Sequence, residues 1–247
     1  MTITAPRKSG KTNNLIDLLL DEEKYCHKFD FIAIWSKTVD HDSKWKNLNL
    51  MKEFVFENFV EDQVRTLYED VELLSKHRNI KSLFIFDDMI DQHIMSPMKM
   101  GVLETIAVRG RHIGLSIIII SQQYMKLSPP IRNNCTNGLF YRIRNNKERK
   151  VIREENQEML SKRDFDSLLD YATEEPYAFL HINNQVADPH KRFRKNWDEV
   201  LYLHNTNTHV EEEESDTETE TSSSTASQKR RLEISEPRFS AVRRRVS

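Results

Sequence analysis

Two stretches of this chain, SLFIFDD at residues 82–88 and GLSIIIISQQ at residues 114–123, are apolar at successive positions and then stop on polar side chains. Successive side chains of a strand point to opposite faces of its sheet, so an unbroken apolar run needs cover on both faces. That requirement is met inside a mostly parallel sheet, where the crossover helices pack on each side. The segments around these runs alternate in the same sense and predict an α/β chain throughout. Residues 10–26 carry Leu15, Ile16, Leu18, Leu19 and Leu20 among polar residues and predict a helix starting at Gly-Lys-Thr. FDFIAIWS at residues 29–36 predicts a buried strand, residues 54–56 a short one, and residues 61–77 an amphipathic helix. Further on, residues 98–111, 147–160 and 165–172 predict helices, while GLFYRIR from Gly138 and PYAFLHIN from Pro176 predict strands. Phe140 and Tyr141 with Arg142 and Arg144 mix aromatic and basic residues, and alternation along a strand accounts for them without DNA.

The expected organisation is one α/β domain over residues 1–204, a three-layer sandwich, followed by a tail at 205–247. The tail is first acidic and Ser/Thr-rich and then basic, with too few apolar residues to offset its ordering entropy, so it is expected to be disordered. Formal net charge is −2, but seven acids fall at residues 211–220, and without them the remainder carries a net positive charge of five. That excess permits a polyanionic partner. Cys26 and Cys135 fall in no metal or redox spacing, which favours reduced thiols. No apolar run is long enough to span a bilayer and no charged-then-apolar leader opens the chain. A soluble, intracellular protein with no membrane partner is therefore expected. His27, His41 and His112 show no paired spacing that would bind a metal.

The chemistry begins with APRKSGKT, made of Ala5, Pro6, Arg7, Lys8, Ser9, Gly10, Lys11 and Thr12. It fits G-x-x-x-x-G-K-[ST] at every place but the first, where Ala5 replaces Gly. In such a loop the backbone amides wrap phosphates, the Lys reaches the β/γ oxygens and the hydroxyl takes Mg²⁺. An apolar strand must then deliver a carboxylate to the metal, and LFIFDD offers Asp87 for that role. Asp88, next to it, is placed to polarise an attacking water. IIIISQ closes on Gln122, an amide that can bond the γ-phosphate or the water. Arg111 in RGRH and Arg132 in IR are the candidates for the positive charge that phosphoryl transfer requires in its transition state.

In that order and at those spacings, APRKSGKT, LFIFDD, RGRHIGLSIIIISQ and LSPPIRNNC resemble the poxvirus-type genome-packaging ATPases of large DNA viruses, virophages and virus-like transposons, within the FtsK/HerA class of P-loop translocases. FDFIAIWSKTVDHDSKW is similar to the second strand of that family and the loop after it. The resemblance covers roughly residues 5–144. It implies an additional-strand P-loop fold, hydrolysis of ATP with Mg²⁺, and a homo-oligomeric ring that drives double-stranded DNA into a capsid, with a capsid protein as a further partner. Carried over by position, it gives Lys11 and Thr12 the phosphates and Mg²⁺, Asp87 the metal, Asp88 the water, Gln122 the sensor role and Arg111 the finger reaching a neighbouring subunit. Two departures stand out: Ala5, and a first strand missing or reduced to residues 2–4. The second implies a start late in the reading frame or a decayed copy. A relative that binds nucleotide or DNA without turnover is the non-enzymatic alternative, and a small-molecule P-loop kinase is the other enzymatic one.

Overall fold

The computed structural model describes residues 1–39, 43–48, 50–89, 101–157, 160–188, 191–203 and 239–243. In chain order the elements are β1 (Thr2–Thr4), α1 (Lys11–Leu20), β2 (Phe31–Ser36), β3 (Val55–Phe56), α2 (Glu61–Ser75), β4 (Ser82–Asp87), α3 (Val102–Arg109), β5 (Leu115–Ser121), α4 (Pro129–Asn133), β6 (Asn137–Tyr141), α5 (Asn146–Asn156), α6 (Lys162–Ala172), β7 (Phe179–Asn183), β8 (Phe193–Lys195), β9 (Glu199–Leu203) and β10 (Phe239–Arg243).

All ten strands form one sheet in the order β10-β9-β8-β7-β6-β1-β5-β4-β2-β3. From β6 to β3 every neighbouring pair is parallel, and from β6 to β10 every pair is antiparallel. The short first strand is central despite its three residues: Ile3 pairs with Ile120 on one side and with Leu139 on the other. Strand β5 lies between β1 and β4, so the loop after β1 and the acids closing β4 face each other across the end of β5.

The apolar runs are covered on both faces, as their composition requires. Along β4, Leu83 and Ile85 join one core with Leu15, Ile16 and Leu19 of α1, Ile3 and Ile120. Phe84 and Phe86 point the other way into a second core with Val64 and Val71 of α2, Leu103 and Ile106 of α3, Ile152 of α5 and Phe165 of α6. The result is a three-layer α/β/α arrangement. Trp35 is fully buried on the second face, stacked between Phe56 and Phe86 at centroid distances of 4.9 and 4.6 Å.

Several boundaries differ from the sequence pattern for local reasons. Helix α1 stops at Leu20 because Asp21 is extended, with φ −73° and ψ 116°. Helices α5 and α6 start at Asn146 and Lys162, where the Asn145 and Ser161 side chains accept from the first free amides. Strand β6 ends at Tyr141, not at residue 144: β1 last pairs with it at Phe140 and β7 first pairs with it at Tyr141. Without neighbours on either side, Arg142 and Arg144 leave the sheet, which corrects their reading as strand positions. Strands β8, β9 and β10 carried no strong sequence signal. The tail expected at residues 205–247 falls outside the described residues except at Phe239–Arg243, which pairs antiparallel with β9. Of the helix expected at residues 98–111, residues 98–100 also lie outside the described residues. Among the described residues no helix is long and apolar enough to cross a membrane.

Candidate functional site

The loop between β1 and α1 begins on a buried residue. The Ala5 amide donates to the Ser121 carbonyl at 3.0 Å, and its methyl group is fully buried in the α1-side core. The left-handed residues of this loop are Lys8, at φ 61°, and Gly10, at φ 82°. Ala5 is not among them, so the missing first glycine costs the loop no backbone strain. Gly10 is the N-cap of α1, and a Cβ there would lie 3.0 Å from the Tyr177 ring. No side chain caps α1 and no acid sits in its first turn. Its leading amides and the positive end of its dipole are thus available to an anion. Ser9 Oγ, in the same loop, is buried without a hydrogen-bond partner.

Opposite this loop, Lys11 Nζ lies 3.3 Å from Asp88 Oδ2, and Gln122 Nε2 donates to the same oxygen at 3.1 Å. Lys11 is largely buried, while the Asp88 side chain is 37% exposed and so reachable from solvent. Asp88 has φ 53°, a left-handed conformation uncommon for a residue other than Gly or Asn, while its amide still donates to Ile120 at 3.1 Å. This turn ends the alternation of β4 and separates the two acids. Asp87 stays in the sheet, 5% exposed, and accepts from Ser36 Oγ at 3.2 Å. Ser36 pairs with Asp87 in register at the end of β2, and its Oγ also takes the Thr38 amide at 3.2 Å. Ser36 was not singled out from sequence, although the polar stop of FDFIAIWS was its signal.

Asn14, one turn into α1, was also missed. Its Nδ2 donates to Tyr141 Oη at 2.9 Å and its Oδ1 accepts from Trp197 Nε1 at 2.9 Å. Burial pushes the Tyr141 hydroxyl up to about 12, against the pull of the Asn14 bond. Trp197 meets Phe179 and His181 edge-on, each at 5.2 Å. The helix that follows the loop is in this way tied to the antiparallel half of the sheet. Nothing in the spacing of these residues reveals the link.

The two arginines fare differently from the acids. Arg111 is exposed on a single 3₁₀ turn, Gly110–Ile113, that feeds the N-terminal end of β5. It lies at the sheet edge opposite Lys11, Asp88 and Gln122, about 20 Å away by the rise of a seven-residue strand. Arg132 pairs with Glu155 at 3.2 Å and sits over the Tyr124 ring at 5.4 Å. Neither joins the cluster around Asp88.

Among the described residues no group of three or more His, Cys, Asp or Glu could cage a metal. The hydroxyl of Thr12 and the carboxylate of Asp87 are hard oxygen donors of the kind Mg²⁺ takes when phosphates complete its shell.

A phosphate-type loop after β1, an acidic pair closing β4 and an extra strand between them define a P-loop NTPase of the additional-strand type. A family model described as Poxvirus A32 protein matches residues 1–210, and the chain belongs to that family. No curated protein matches it. Among solved structures, B204, the DNA-packaging ATPase from Sulfolobus turreted icosahedral virus, aligns with a TM-score of 0.57 at 16% identity, covering 79% of this chain and 95% of that one. The genome packaging NTPase B204 from Sulfolobus turreted icosahedral virus 2 in complex with AMPPCP aligns with a TM-score of 0.56 at 18% identity over 79% and 95% of the two chains. At these identities the likeness shows a common fold.

Proposed function

We propose that this chain is an ATP-hydrolysing motor that moves double-stranded DNA during viral genome packaging. The observation that carries this reading is the convergence of Lys11 and Gln122 on Asp88 at the uncapped start of α1. In the proposal the loop amides and Lys11 hold the nucleotide's phosphates, with Ser9 Oγ as a further donor that nothing else engages. Asp88 takes a proton from the attacking water, and Gln122 orients that carboxylate. Thr12 and Asp87, the latter steadied by Ser36, would hold Mg²⁺, which supplies neutralising charge on the phosphate oxygens when bound.

The B204 relatives carry packaging and nucleotide complexes in their descriptions, and family membership supports extending that role to this chain. Arg111 is too far from its own site to serve there, and an exposed place on the opposite edge suits a finger reaching into a neighbour's site within a ring. DNA, the ring and a capsid protein are the partners this reading requires.

Mg²⁺-dependent ATP hydrolysis by the purified full chain, stimulated by duplex DNA, is the expected result. Lys11→Ala should lower turnover by about a hundredfold or more. Undiminished hydrolysis in that variant would refute the assignment, and nucleotide binding without hydrolysis by the unaltered chain would replace the motor with a non-hydrolysing relative.

A further inference from the structure

Arg7, Arg142 and Arg144 are exposed and, among the described residues, have no carboxylate partner. This sets them apart from Arg132, Arg149 and Arg153, which pair with Glu155, Asp170 and Asp166. All three unpaired arginines line one cleft of about 450 Å³, together with Pro6, Gln122 and Glu148. The sheet explains the convergence. Residues after β1, β5 and β6 all leave it at the same edge, and β6 releases Arg142 and Arg144 early because its partners end at Phe140 and Tyr141.

Among the described residues Glu148 is the one carboxylate lining the cleft, so three guanidinium groups face a single acid. Glu148 Oε2 is turned to the Met125 amide at 3.1 Å, and the first amides of α5 are capped by Asn145 Oδ1 at 2.9 and 3.4 Å. Guanidinium groups stay protonated at any working pH, so three on one wall repel each other until an anion sits between them. Their planar donor forks match the oxygens of phosphate.

We infer that this cleft is a second phosphate-binding site beside the one around Lys11, built in part on Pro6 and Arg7 of the same loop. Lys11, Thr12, Asp87 and Asp88 do not line it. It shares Pro6, Arg7 and Gln122 with the first site, and Gln122 donates to Asp88 at 3.1 Å. A phosphate held by Arg142 and Arg144 therefore touches the residue that orients the proposed base. The inference rests on the motor reading for its setting, and two sources offer the same chemistry there: the backbone of a DNA duplex and the terminal phosphate of the nucleotide.

The test compares the full chain with its R142Q/R144Q double variant and with Lys11→Ala. Binding of a short DNA duplex is followed across a series of salt concentrations, and binding of ATP is measured against AMP. A tenfold or greater loss of duplex affinity, with the log–log salt slope shallower by about 1.8 for two lost phosphate contacts, supports the site and names the DNA backbone. A tenfold or greater loss of the ATP-over-AMP preference supports it and names the terminal phosphate. Restoration of either property by R142K/R144K shows that charge carries it. Wild-type values for both in the double variant, alongside impaired ATP binding in Lys11→Ala, overturn the second site and leave the motor reading in place. A wild-type chain that binds neither ATP nor duplex overturns both. Thermal melts of each variant check that these exposed substitutions leave the fold intact.

Discussion

Lys11 and Asp88 lie 77 positions apart in sequence and 3.3 Å apart in space, joined at the end of a strand that belongs to neither. Gln122, the residue directly after that strand, β5, donates to the same carboxylate oxygen, so one acid is shared by a cation and an amide. Sharing of this kind holds Asp88 beside the loop that carries Lys11.

Replacing Asp88 with Asn tests this directly. Asn tolerates the left-handed conformation at φ 53° at least as well as Asp, so thermal stability should be kept. Under the proposed function, in which Asp88 takes the proton of the attacking water, the change should lower Mg²⁺-dependent ATP turnover by about 10² to 10⁴. Nucleotide affinity should hold or tighten, because a negative charge leaves the phosphate side. Steady-state kinetics with parallel nucleotide titration separate the two effects.

Gly10→Ala should weaken nucleotide binding and cost about 1–2 kcal/mol of stability, because φ 82° is strained for a residue with a Cβ. The added methyl would also press on the Tyr177 ring at 3.0 Å. Tyr177 is 70% exposed and can yield, so adding Tyr177→Ala should relieve the contact and leave the backbone cost. Denaturant melts of both variants divide the penalty.

Gly114→Ala probes the opposite edge of the sheet. A Cβ there would fall 2.2 Å from the Ile80 carbonyl oxygen, at φ 70°, and backbone cannot swing aside as a ring can. The loss should reach about 3–4 kcal/mol, seen as a lower urea midpoint. This variant serves as a purely structural control, since it lies far from Asp88.

His181 predicts an acid-side loss of stability. Burial, with Arg194 adding to it, pulls its imidazole down to about 4, while Nε2 bonds Asn137 Oδ1 at 2.9 Å and Nδ1 has no partner. Between about 4 and 6.5 the unfolded chain takes up a proton that the folded chain refuses, so folding stability rises with pH through this window. It is complete above about 6.5 and falls as pH drops toward 4, by about 3 kcal/mol in all. His181→Gln should flatten this part of the profile, measured as urea midpoints at pH 7.5 and 5.

Apolar runs closed by polar residues were enough to specify α/β layers, since residues such as Phe84 and Ile85 cannot both be buried unless each face of β4 is covered. The same local chemistry marked APRKSGKT, Asp87, Asp88 and Gln122, because phosphate and metal binding need particular side chains at fixed short spacing. Strand order was not local. Only the parallel pairing of β5 between β1 and β4 placed Gln122 against Asp88, turned Arg111 to the far edge and gave Arg132 to Glu155. Tertiary structure alone also ended β6 at Tyr141 and set Arg142 and Arg144 beside Arg7. A strand's length depends on the neighbours available to pair with it, and for β6 these lie 136 positions back, where Phe140 meets Thr4, and 38 positions on, where Tyr141 meets Phe179.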